Sequence, residues 1–302
     1  MKKYKIYNIN SRDEIEQLGT KEKFWFYDSD GLKKLFKVGR PNTGENWSEK
    51  VAFELAKLLN IPCARYEFAK WHDKLGTIST SFTDDYLVHA NEILASYDEN
   101  YHKNSTYHAT DYKLEYVLNL VDTLLNPLDL PIDNIESNEV ERPIDLFIGY
   151  LIFDFWIANL DRHHENWGII LGENQLKFAP TYDHAAGLGS KVSKDEAKKR
   201  LITKDKNYTI KKFVTKAKSP FYSQESRQLK TIEVVEIIVK KYQKSSCYWI
   251  EKIASLEKDK FNEILEAVPN IFMDEIQKSF VLGLLDENKK RLVEMKEEHC
   301  NE

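Results

Sequence analysis

The chain has 302 residues, 44 Lys plus Arg against 49 Asp plus Glu for a formal charge of −5, and 42% hydrophobic residues. This composition excludes a wholly basic nucleic-acid binder, a collagen-like or low-complexity chain and a disordered one, and the length fits two domains or lobes of about 100–200 residues each. The opening MKKYKIYNIN lacks the apolar stretch of a secretory signal, and the most apolar run, LFIGYLIFDFWIANL at 146–160, is short for a membrane span and contains Asp154. Cys63, Cys247 and Cys300 are widely spaced and form no C-x-x-C. The expectation is a cytoplasmic, reduced protein without a disulfide or a transmembrane segment.

In chain order, FWFY (24–27) and KLFKV (34–38) read as strands around a DSDG turn, hence a β-hairpin. A polar loop, RPNTGENW, precedes a helix predicted over 48–60, with Val51, Leu55, Leu58 and Leu59 at helical spacing and Ser48 as N-cap. Residues 64–82 read as two more strands about HDKLG. The polar stretch 83–111 reads as a linker, and 112–125 as an amphipathic helix. An acidic, proline-containing loop then leads into 143–158, apolar nearly all round and therefore a buried helix. WGIIL and KFAPTYD, split by GENQ, give another hairpin that Asp183 ends, and the remainder from about 194 is mainly helical. The predicted class is α+β and bilobal: an N-lobe over 1–89 with a small antiparallel sheet and one helix, and a larger, mainly helical C-lobe over 90–302.

The chemistry concentrates in NLDRHHENWGIIL and KFAPTYDHAAGLGS. Asp161 precedes Asn166 by five positions, and Asp183 follows the hairpin. Phosphoryl transfer needs a carboxylate at the acceptor hydroxyl, plus an amide and a carboxylate as hard oxygen ligands for Mg²⁺. In the N-terminal half, Lys37 lies on a strand and Glu49 in the first turn of the next helix. A strand lysine paired to a helix glutamate is how kinases hold ATP phosphates. Each residue alone has a plainer reading: Lys37 as a strand-face lysine, Glu49 as a first-turn glutamate favoured by the helix dipole. It is their order along the chain that points to a kinase. Gly19, just before the first strand, would be a phosphate-covering turn, although a full G-x-G-x-x-G is absent and an ordinary turn fits as well.

The motif N-L-D-R-H-H-E-N-W resembles the N-x-D-R-H-x-x-N catalytic loop of the HipA-like kinases, and A-P-T-Y-D-H is similar to their A-P-x-Y-D metal motif. The resemblance covers about residues 15–190. It implies a bacterial Ser/Thr protein kinase with Asp161 as catalytic base, Asn166 and Asp183 on Mg²⁺, Lys37 on ATP with Glu49 as its ion-pair partner, and Gly19 to Lys23 as the ATP-covering loop. It also implies autophosphorylation and pairing with a DNA-binding antitoxin. Departures are Lys21 in the covering loop and D-H-A in place of the eukaryotic D-F-G. The latter is also similar to phosphoinositide kinases, so a lipid acceptor is an alternative. Two further readings stay open: a metal phosphohydrolase using Asp161, His163, His164, Asp183 and His184, and a nucleotide-binding module without turnover.

One charge feature stands apart. Residues 191–218 hold ten lysines and Arg200 against Asp195, Glu196 and Asp205, a local balance of +8. This is either a solvated, mobile loop or a contact for an anionic substrate or acidic partner.

Overall fold

The computed structural model describes residues 2–15, 22–104, 110–126, 128–131, 139–173 and 175–300. Six strands form the first sheet: β1 (Ile6–Ile9), β2 (Glu14–Ile15), β3 (Lys23–Tyr27), β4 (Lys33–Val38), β5 (Tyr66–Trp71) and β6 (Lys74–Thr80), in the spatial order β1-β5-β6-β4-β3-β2. The two hairpins occur where the strand-like runs lie. The sheet is mixed, however, because β1 adds in parallel to β5. Side-chain alternation sorts the faces. Phe24, Phe36 and Ile78 lie opposite one another in register and close one face as a buried aromatic cluster. The adjacent row, Lys23, Lys37, Thr77 and Phe68, faces the other way.

That second face receives α1 (Glu45–Leu58), which starts three residues earlier than its apolar spacing predicts. Ser48 is therefore not the N-cap. Gly44 takes that position without a side-chain cap, and Ser48 Oγ donates instead to the carbonyls of His184 at 2.8 Å and Gly187 at 3.0 Å. The hydroxyl that looked like a local cap is committed to tertiary structure, and Glu49 moves from the first turn into the second.

The stretch that reads as a linker contains β7 (Tyr86–His89) and α2 (Ala90–Tyr97). Then come α3 (Leu114–Thr123), α4 (Pro143–Trp156), β8 (Gly168–Leu171) and β9 (Leu176–Phe178), with β8 between β7 and β9 in a three-stranded sheet. Asp183 lies five residues beyond β9 rather than at a strand end. All of α4 is buried, as its apolar sequence requires. Gly149 lets Trp249 cross it: a Cβ there would sit 2.5 Å from the indole ring.

The rest comprises α5 (Lys194–Ile202), α6 (Ile210–Thr215), a hairpin of β10 (Lys218–Tyr222) and β11 (Gln228–Lys230), α7 (Thr231–Lys241), α8 (Gln243–Ala254), α9 (Lys258–Ala267) and α10 (Glu275–His299). An Asp274–Gln277 capping box starts α10, and Asn288 Nδ2 donates to Phe155 O at 2.9 Å, tying the long helix to the end of α4. Among the described residues no helix is long and apolar enough to cross a membrane.

The two halves also meet away from the chain connection. Tyr4 N donates to Ala267 O at 2.8 Å, Phe272 packs on Phe68 with ring centroids 4.4 Å apart, and Lys252 Nζ donates to the carbonyl of Leu59, the C-cap of α1, at 3.0 Å. At the other end of α1, Gly44 N donates to Ser190 O at 2.6 Å.

The expectation of no disulfide is corrected. Cys247 on α8 and Cys300, just past α10, are bonded, because the two helices pack side by side and bring residues 53 positions apart within 5.7 Å at Cα. Sequence spacing carries no record of such packing. Cys63 is the free thiol. Alkylation of the denatured chain is therefore expected to label one cysteine without reductant and all of them after reduction. Full labelling without reductant would rule the bond out.

Candidate active site

Lys37 is the point of convergence. It sits on β4 with its side chain toward α1, where Nζ lies 3.0 Å from Glu49 Oε1 and 3.5 Å from Asp183 Oδ2. Glu49 is almost fully buried, and its second oxygen accepts from Thr77 Oγ1 at 2.6 Å, across the sheet from Lys37. Burial alone would push the ammonium down, but the carboxylates of Asp183 and Glu49, with the Tyr66 hydroxyl, hold it well above its ordinary value. Lys37 is a fixed positive charge. Lys23 lies opposite it in register on β3, on the same face. Gly19 lies outside the described residues.

Asp183 has φ of 57°, the left-handed region that Asp and Asn tolerate better than most side chains. Its N–H donates to Tyr66 Oη at 3.1 Å. This bend turns the carboxylate toward Lys37.

The catalytic-loop candidates form a second group. Asn166 Nδ2 donates to the carbonyl of Asp161 at 2.6 Å, which fixes the amide plane. Asp161 Oδ1 lies 3.8 Å from His163 Nε2, and its side chain is 38% exposed, so it can meet an incoming group.

What joins the two groups is Arg162, which the motif reading passed over. Its side chain is 1% exposed. Nε and Nη2 grip Asp154 of α4 at 2.6 and 2.8 Å, and Nη1 donates to the carbonyls of Asn166 at 2.5 Å and Tyr182 at 3.2 Å. Nη2 also donates to His184 Nε2 at 3.1 Å. Every guanidinium hydrogen has a use. One side chain thus holds the loop bearing Asp161 and Asn166 against the turn bearing Asp183. The signal was present in the sequence: Asp154 is the one charged residue in an apolar run, and a carboxylate buried there requires a cationic partner.

These bonds bear on the histidine-rich hydrolase reading. His184 Nε2 accepts from Arg162, and burial followed by the Arg162 charge pushes its imidazole well below the ordinary value. His164 Nδ1 is engaged by Tyr101 Oη. Among the described residues no three His, Cys, Asp or Glu side chains converge as a metal cage. Asn166 and Asp183 still fit Mg²⁺, which needs only one or two protein oxygens when phosphates and water complete its shell.

Burial, and then His163, pull His164 down to about 4. The unfolded chain therefore takes up this proton first. This group's contribution to stability is therefore present above about pH 6.5 and is lost as the pH falls toward about 4, by at most about 1.4 kcal/mol per pH unit. Urea midpoints at pH 7 and pH 5 are expected to separate more for the wild type than for His164→Gln, and equal separations would refute the assignment.

Comparison with solved structures supplies the fold by name. A Helicobacter pylori proinflammatory kinase, CtkA, matches with a TM-score of 0.74 and 19% identity over 96% of this chain and 96% of its own. HipA of Shewanella oneidensis MR-1, solved in a toxin–antitoxin complex with HipB and operator DNA, matches with a TM-score of 0.54 and 12% identity, covering 95% of this chain and 66% of that one. No protein-family profile and no curated protein sequence matches the chain. With strand lysine, helix glutamate and post-hairpin aspartate meeting between its lobes, the chain has the bilobal, HipA-like kinase fold shared by CtkA and HipA.

Proposed function

We propose that this chain is an ATP- and Mg²⁺-dependent protein kinase that phosphorylates Ser or Thr hydroxyls. The observation that carries the reading is the contact of Lys37 with both Glu49 and Asp183, from separate elements of the two halves. Lys37 would hold ATP phosphates, with Glu49 fixing its position, and Lys23 and the Gly19 turn would cover them. Asp161 would take the acceptor's proton. Asn166 and Asp183 would hold Mg²⁺, which when bound would offset the charge of the phosphates. The lobes would divide near residue 89, the end of β7.

The test is the intact mass of purified protein after incubation with Mg²⁺ and ATP, with Asp183→Ala alongside. A gain of about 80 Da per phosphoryl group is expected in the wild type alone. An equal gain in Asp183→Ala would remove the metal assignment. Failure of the wild type to bind ATP with Mg²⁺ would sink the reading.

A further inference from the structure

Residues 191–218 are an ordered platform rather than a loose loop. Both α5 and α6 are anchored on α10: Lys194 Nζ lies 2.7 Å from Asp274, Lys211 Nζ lies 3.8 Å from Glu287, and Ala197 and Val214 are buried beneath. Arg200 spends its charge on Glu196 at 2.7 Å and lies against the Tyr208 ring. Lys191, Lys198, Lys199, Lys204 and Lys206 are exposed and make no ion pair among the described residues. A folded surface has thus kept positive charge outward in a chain whose net charge is −5.

The platform begins beside the candidate site. Ser48 of α1 bonds the carbonyl of His184, next to Asp183, and Gly44, one turn earlier, bonds the carbonyl of Ser190. Four residues of helix rise about 6 Å. The segment from His184 to Ser190 therefore lies along the first turn of α1, and Lys191 follows directly on it.

We propose that this surface binds an acidic polypeptide segment flanking the acceptor hydroxyl, so that the substrate class is a Ser or Thr with Asp or Glu close by in sequence. The proposal rests on the kinase reading for the word substrate, but not for the binding. The chemistry favours a peptide over other polyanions. Single-stranded nucleic acid is held by exposed aromatic platforms, and within this segment Tyr208 and Phe213 are both half-buried, with Arg200 over their rings at 4.3 and 4.8 Å. A membrane surface needs a broad apolar helix face, whereas α5 exposes only Leu201 and Ile202 as apolar residues. Point charges around a two-residue apolar contact suit a short acidic chain.

The test measures binding and transfer separately. A fluorescent serine peptide flanked by Asp and Glu, and its Asn and Gln analogue, are titrated by anisotropy into the full chain, the variant Lys198→Glu/Lys199→Glu/Lys204→Glu/Lys206→Glu and the matching Gln variant. These side chains are exposed, so folding is checked by melting and expected unchanged. Wild type is expected to bind the acidic peptide about tenfold or more tighter than the neutral one, with the preference shrinking between about 50 and about 500 mM salt. Both variants are expected to lose the preference. Equal binding of the two peptides, or a preference kept by the variants, overturns the proposal. So does tighter binding of poly(U) or phosphatidylserine vesicles than of the peptide. With Mg²⁺ and ATP added, phosphorylation of the acidic peptide in preference to the neutral one extends the result to kcat/KM. A peptide that binds selectively but receives no phosphate leaves the surface standing and counts against the kinase reading alone.

Discussion

Asp183→Ala is expected to abolish phosphoryl transfer, by about a thousandfold or more in kcat, while the fold survives. The carboxylate is more than one-third exposed, so no buried packing depends on it, and its loss leaves Lys37 still paired with Glu49. Alanine at a φ of 57° is strained by about 1–2 kcal/mol, which by itself predicts a lower melting temperature. Asp183→Asn separates the two effects, because asparagine tolerates the bend and lacks the charge. Transfer in Asp183→Asn within about tenfold of wild type would contradict a metal-holding carboxylate. Asp161→Ala is the companion variant. It makes no ion pair with Lys37, so it is expected to lose transfer but keep ATP binding, whereas Asp183→Ala is expected to lose the Mg²⁺-dependent part of both.

Arg162→Leu is expected to cost about 3–5 kcal/mol of stability, because it leaves the Asp154 carboxylate buried without its cation. Asp154 is 5% exposed, and its remaining side-chain donor is Asn159 Nδ2 at 2.8 Å. The double variant Asp154→Leu/Arg162→Leu is expected to recover much of that loss, since neither buried charge remains. It is not expected to recover activity. The carbonyls of Asn166 and Tyr182 lose the donor that fixes them, and the two halves of the site lose their shared anchor. Arg162→Lys is the finer probe: one ammonium cannot reach the five acceptor positions that a planar guanidinium spans. Its expected signature is a lower kcat and a higher Mg²⁺ requirement with little change in the binding of ATP without metal. Melting temperatures and Mg²⁺ titrations of kcat check this. A single variant Arg162→Leu as stable as wild type would refute the buried-charge account.

The parts legible in the sequence are those governed by local rules. Strands of FWFY and KLFKV type, a helix apolar on every side and the spacing Asp161 to Asn166 follow from periodicity and motif. So does the proximity of Lys37 to Glu49, given a hairpin followed by a helix. What the sequence hid depends on partners far away in the chain. Ser48 looks like an N-cap until His184 and Gly187 are placed next to it. The β1 strand is visible only once β5 offers an edge. The Cys247–Cys300 bond needs two helices in contact. Arg162 was passed over inside the motif itself, where neighbours of recognised type drew the reading.

The two tethers on α1 have a consequence for control. In many kinases the helix that carries the glutamate is the movable part, and activity is set by swinging it into place. Here that helix is a beam supported at both ends, by the Ser190 carbonyl under Gly44 and by Lys252 on Leu59, with Ser48 pinned between. Tilting it would break supports at opposite ends together. The Lys37–Glu49 pair thus rests on a helix tied at both ends to the other half of the chain, so parting the pair by swinging α1 requires losing both ties.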